Sequence, residues 1–134
     1  MDGDTLDAML RSEGMKLILP LPPNRANARE HWRVTHRKKQ EYYDMAAFAL
    51  LGKDWTSGMR GNRVRLSATL FLWVKMDRDN LVARLKWPID CLVRHDLLVD
   101  DNEKWLDLQM PKQAVDRKNM RVEIELTPCA SLDR

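Results

Sequence analysis

Apolar and polar positions along this chain recur with two periods, and those periods mark out its elements. Lys16-Leu17-Ile18-Leu19 is a short apolar run closed by Pro20, Pro22 and Pro23. It is predicted as an edge strand, where a residue without an N–H does least harm to the ladder. Thr35 is suited to cap a helix running from about residue 36 to 51, with Tyr42, Met45, Ala46 and Ala49 on one face and Gly52 as its stop. Asp54 to Asn62 reads as a loop. Val64 to Lys75 is the second and longest strand, and its apolar run Leu70-Phe71-Leu72-Trp73-Val74 is predicted to be buried. A second helix is predicted from about residue 80 to 95 around Leu81, Leu85, Cys91 and Leu92. It should kink at Pro88, which lacks a donor and crowds the Arg84 carbonyl. Glu103 to Met110 is predicted as a strand and Pro111 to Arg117 as a turn. In a last half-buried strand, Met120, Val122, Ile124 and Leu126 alternate with Arg121, Glu123 and Glu125. The last two strands are expected to form a hairpin.

The order strand, helix, strand, helix, strand, strand predicts an α+β fold with a small mixed or antiparallel sheet and two main helices. A chain of 134 residues is long enough for one core. The expected division is a loosely ordered extension over residues 1–14, one domain over 15–127 and a tail over 128–134. No run approaches the length of a bilayer span, and Met1-Asp2-Gly3-Asp4 lacks the basic start of a signal peptide. A cytoplasmic protein with no membrane partner is therefore expected. Cys91 and Cys129 show no metal-ligand spacing and the three histidines are scattered, so free thiols in a reducing compartment are expected rather than a zinc site.

The net charge of +3 matters less than its distribution. Arg25, Arg29, Arg33, Arg37, Lys38 and Lys39 crowd a segment whose one acid is Glu30, whereas the acids gather from Asp77 to Asp107. A basic surface beside an acidic pocket suits an enzyme that cuts phosphodiesters: one holds phosphates, the other a cation. A solvated basic segment without a partner is the alternative.

The acids carry the sharpest chemistry. A strand ending in Asp77-Arg78-Asp79-Asn80 would put both carboxylates on one side, about 6–7 Å apart along the strand. With Asp100-Asp101 nearby, mutual repulsion would push protons back onto some of them unless a hard divalent cation intervened. The same residues also suit turns and caps. On a continuous helix Lys86 and Asp90 return to within roughly 20° of the direction of Asp79. A lysine there can contact a scissile phosphate, or it can simply pair with Asp90 at i,i+4.

Taken together, Asp77-Arg78-Asp79-Asn80-Leu81, Lys86, Asp90-Cys91-Leu92 and Asp100-Asp101 resemble the signature of the RusA-type Holliday junction resolvases. Leu19-Pro20-Leu21-Pro22-Pro23 resembles the family's opening strand and proline turn, and Tyr42 or Tyr43 falls where its first helix carries an aromatic. The resemblance covers roughly residues 16 to 127. It implies a RusA-like fold and a homodimeric, Mg²⁺-dependent endonuclease (Mn²⁺ substituting), often phage- or prophage-encoded, that nicks opposing strands of a four-way DNA junction. By that resemblance Asp77, Asp79 and Asp101 are the catalytic and metal-binding acids and Lys86 the catalytic lysine, with Asp100, Asp90 and Asn80 in support. The N-terminal extension and the longer, proline-containing segment before Asp90 depart from shorter members.

On this reading Arg25, Arg29, Arg33, Arg37, Lys38 and Lys39 hold the DNA backbone without reading bases. Trp32 either stacks on an unpaired base or anchors the basic arm, and Trp55, Trp73, Trp87 and Trp105 are expected in core or dimer packing. Two rivals stand beside the resolvase: a non-catalytic module that binds branched DNA, and a metal nuclease acting on forks, flaps or tRNA-like RNA.

Overall fold

The computed structural model describes residues 14–24, 29, 31–51 and 61–130. The expected extension before Gly14, Arg25, Gly52, Trp55 and most of the Asp54–Asn62 loop lie outside the described residues. The elements run β1 (Met15–Leu19), α1 (Trp32–Leu50), β2 (Val64–Leu72), α2 (Arg78–Arg84), α3 (Lys86–Arg94), β3 (Leu106–Leu108), β4 (Lys112–Val115) and β5 (Arg121–Pro128). The fold is α+β, with the five strands in one mixed sheet.

Alternation decides which sheet face is covered. Val64, Leu66, Ala68, Leu70 and Leu72 of β2, Val122, Ile124 and Leu126 of β5, and Leu17 and Leu19 of β1 all point to one side and are buried. There they meet Tyr42, Tyr43, Ala46 and Leu50 of α1 and Leu81, Leu85, Ile89 and Leu92 of the α2–α3 segment in one core. The opposite face carries Lys16, Arg65, Ser67, Thr69, Glu123 and Glu125 and needs no second layer. β1 lies at an edge, antiparallel to β5, as the prolines require.

Several expectations change. The last strands are not a hairpin, because β2 lies between them: β5 pairs antiparallel with one edge of β2, and β3 and β4 pair parallel with the other. Residues 112–115, expected as turn, form β4, and the strand expected over 103–110 shrinks to β3. β2 ends at Leu72, leaving Trp73 and Val74 exposed rather than buried. α1 begins at Trp32, where His31 Nδ1 accepts the Arg33 amide at 3.1 Å, so Thr35 is not its cap. Met45, expected on the buried face, is exposed, while Tyr43 and Leu50 complete that face instead.

The second helix is not one kinked rod. It breaks at Leu85, and Pro88 becomes the third residue of a new helix, α3. An N–H in the first turn has no intrahelical acceptor, so proline costs nothing there. The break falls directly after Arg84, the residue whose carbonyl a continuous helix would have pressed against the Pro88 ring.

Candidate active site

The turn from β2 into α2 is held from outside. The Gln113 side chain, on β4, accepts the Met76 amide at 2.9 Å and donates to the Met76 carbonyl at 3.0 Å, extending the sheet by one side-chain rung. Asp77 follows as the N-cap of α2, and its carbonyl accepts the Leu81 amide at 3.0 Å. Its carboxylate makes no capping bond. Asp79 lies in the first turn. Both side chains are exposed, and neither carboxylate bonds to any described residue. The pair thus stands at a helix start and not on a strand side as expected, with the helix dipole favouring negative charge there.

Arg84 and Lys86 flank the break. A cavity of about 210 Å³ lies between the proline turn and the α2–α3 break, lined by Pro22, Pro23, Asn80, Arg84, Lys86 and Trp87 among others. Asn80 and Lys86 are therefore brought to one place, together with Arg84, which the sequence reading did not single out. Arg84 Nε donates to the Pro22 carbonyl at 2.8 Å, and burial pulls the guanidinium below its ordinary pKa. The proline turn is strapped on its other side by the Tyr42 hydroxyl, which donates to the Pro20 carbonyl at 2.8 Å.

Asp90 follows Lys86 by one turn on α3, but Asp79 lies on α2, across the break at Leu85, so the three do not share the face of one continuous helix. Asp90 accepts a hydrogen bond from the Tyr43 hydroxyl at 3.2 Å, locking α3 to α1. Burial first, then the Asp90 charge, pushes the Tyr43 phenol up to about 12. The Arg94 guanidinium lies 4.0 Å over the Tyr43 ring and Lys39 Nζ lies 5.6 Å from its centre.

Asp100 and Asp101 occupy the loop between α3 and β3. The Asp100 carboxylate accepts the Asp101 amide at 2.8 Å and the Asn102 side-chain amide at 3.3 Å, and Asn102 in turn accepts the Lys104 amide. Asp101 is exposed, and its carboxylate bonds to no described residue. This loop is at the far end of β2 from Asp77. Arg63 Nε reaches the Glu103 carbonyl just before β2, whereas Gln113, which holds Met76, pairs with Leu70. The seven residue steps from Arg63 to Leu70 span about 23 Å of extended chain. Accordingly, no three acids, histidines or cysteines among the described residues form a group able to hold a metal.

The donor chemistry at Asp77 and Asp79 nonetheless suits Mg²⁺, which takes one or two carboxylates and completes its shell with water and phosphate oxygens. Asp101 supplies no third ligand to that end of the same chain.

The basic segment is helical over much of its length. Arg33, Arg37, Lys38 and Lys39 lie on the first turns of α1, with Arg33 and Arg37 exposed; Arg29 precedes the helix, also exposed. Arg37 faces Glu41 at 4.0 Å, and the Arg33 guanidinium lies 5.4 Å from the ring of Trp32. Trp32 is 67% exposed, so it anchors nothing in the core. Trp87 is buried, but Trp73 is exposed beneath Arg117. Cys91 is buried with its thiol pushed up to about 12 by burial, and both cysteines are unpaired. Among the described residues no helix is long and apolar enough to cross a membrane.

Neither a scan against protein-family models nor a search of curated proteins finds a match to this chain.

Proposed function

We propose that the protein is a Mg²⁺-dependent structure-selective endodeoxyribonuclease that cuts four-way junctions, as the resemblance to RusA-type resolvases implies. One observation carries the reading: two exposed carboxylates without partners among the described residues, Asp77 and Asp79, adjoin in sequence a cavity lined by Asn80, Arg84 and Lys86. Carboxylates and cations in that arrangement address the two halves of one task, holding a metal and holding the phosphates it acts on. Bound at Asp77 and Asp79, Mg²⁺ would supply Lewis-acid polarisation of the phosphate and lower the pKa of an attacking water.

The chain's own residues do the rest. Lys86, a mobile point charge at the start of α3, balances charge developing on the phosphate. Asp100 organises its loop, which leaves Asp101 as the acid available to a ligand. Because Asp101 lies far along β2 from Asp77, a site using all three acids takes Asp101 from a second copy of the chain. A two-fold dimer offers that arrangement twice and matches the near two-fold symmetry of a four-way junction. Arg33 and Arg37 on α1 contribute backbone contacts; Arg33→Ala is expected to weaken all DNA substrates alike and flatten the log–log salt slope by about one unit.

The deciding experiment compares nicking of a four-way junction, a fork, a flap and a linear duplex, each with Mg²⁺ and with EDTA. Metal-dependent nicking confined to the junction supports the reading. Equal rates on linear duplex rule out a resolvase, and junction binding without any nicking identifies a binding module.

A further inference from the structure

The cavity at the α2–α3 break has features that catalysis by Asp77 and Asp79 does not require. Arg84 is half-buried there, yet among the described residues it meets no carboxylate: Nε reaches the Pro22 carbonyl and Nη1 only the Met76 thioether sulfur at 3.7 Å. A guanidinium has five donors, and a sulfur is a poor acceptor, so most of this one's capacity is unused in a partly desolvated place. Lys86 and Asn80 line the same cavity, while Pro22, Pro23, Ala83 and Trp87 give it apolar walls. At about 210 Å³ it is smaller than the roughly 300–1,000 Å³ of pockets that enclose drug-sized ligands, which fits a sugar–phosphate unit rather than a whole nucleotide.

We propose that this cavity is a phosphate subsite in which Arg84 and Lys86 hold one phosphodiester of a nucleic-acid strand, presenting its neighbour to Asp77 and Asp79. The planar fork of Arg84 takes two phosphate oxygens, and the deoxyribose lies against the proline turn. The Arg84–Pro22 bond keeps the fork in place before the strand arrives. The identity of the occupant rests on the nuclease reading; the existence of an anion site does not.

The test uses the full ¹⁵N-labelled chain without Mg²⁺, titrated with inorganic phosphate and with the dinucleoside phosphate TpT. Both probes are expected to shift the backbone amides of Asn24, Asn80, Arg84 and Trp87, TpT at lower concentration. Arg84→Gln should abolish those shifts, as should Ala83→Phe, which fills the cavity and leaves the Pro22 bond intact if the loss of Arg84 unfolds the chain. In four-way junction binding, each folded variant should lose about tenfold in affinity and about one unit of salt slope. Wild-type affinity and slope in a folded variant, or probes that leave the four amides unmoved, overturn the subsite and leave the nuclease reading standing. A response to inorganic phosphate alone overturns the strand as occupant. Shifts with TpT from a protein that nicks no substrate uphold the subsite and remove the nuclease.

Discussion

The two acidic turns of this protein are built in opposite ways. The one before α2 is held by a neighbour: the Gln113 amide grips Met76, and the Asp77 and Asp79 carboxylates bond to none of the described residues. The one before β3 is held by its own acid, since the Asp100 carboxylate ties down both Asp101 and Asn102. A carboxylate that builds its own turn cannot turn to a cation without loosening that turn. One whose turn is held from elsewhere keeps its oxygens for a ligand. Four aspartates that look alike in the sequence thus divide into three that are available and one that is structural.

The sharpest way to break that division is to neutralise the acids singly. Asp79→Asn and Asp101→Asn are each expected to lower the rate of junction nicking in Mg²⁺ by at least about 10²-fold. Asp100→Asn should stay within about threefold of wild type, because the asparagine oxygen still accepts the Asp101 amide. Mixing then tests how the two turns meet. If a second copy supplies Asp101, dimers co-refolded from Asp79→Asn and Asp101→Asn chains contain one intact site and recover nicking of one strand. If each chain builds its own site, the mixture stays as inactive as its parents.

Gln113→Ala addresses the scaffold of the first turn. Two hydrogen bonds to the Met76 backbone disappear, which should cost about 1–2 kcal/mol in urea unfolding and slow nicking further than the stability loss explains. An unchanged midpoint would show that something other than this amide holds the helix start.

The sequence made the architecture legible where burial is one-sided and local. The alternation in Val122, Ile124 and Leu126 identified β5, and the prolines after Leu19 identified an edge. It misled where pairing is long-range. Lys112–Val115 carries little apolar signal of its own and becomes a strand because the far edge of β2 is open to it. The apolar run Trp73-Val74 reads as buried strand, yet the ladder has stopped at Leu72. At the candidate site, the acids and Lys86 stand out by residue type. Arg84 and Gln113 do not, since a lone arginine and a lone glutamine mean nothing until the fold brings Pro22 and Met76 to them. Pro88 was a real signal given the wrong effect: it marks the start of a helix rather than a kink inside one.

Between the two turns, α3 is fixed to α1 by the Tyr43–Asp90 bond, and this contact titrates. The Tyr43 phenol moves from its ordinary value of 10.0 up to about 12, chiefly through burial, so the folded state favours the protonated form. Stability from this group is therefore complete below about pH 10 and is lost as pH rises toward 12. Cys91, pushed in the same direction by burial, titrates there as well, so the comparison must be made by difference. Tyr43→Phe should cost about 1 kcal/mol near neutral pH, and the gap from wild type should narrow between pH 10 and 12. A constant gap would mean that the phenol does not titrate with folding.

The smallest effect is expected where α3 hands over to the second turn. Asp96 has a φ of 62°, a left-handed conformation that favours glycine. Around it the Asp96 amide bonds to the Val93 carbonyl at 3.1 Å and the Leu97 amide to the Leu92 carbonyl at 2.9 Å, the double closure of a Schellman motif. Leu97 is buried behind it, so the motif aims the chain toward Asp100. An aspartate there accepts strain that glycine would avoid, partly offset by the larger entropy of glycine in the unfolded chain. Asp96→Gly is expected to raise stability by about 0.5–1 kcal/mol in thermal or urea unfolding and to leave nicking unchanged. A loss of nicking in this more stable variant would show that the aspartate itself, and not only the turn it terminates, belongs to the second acidic site.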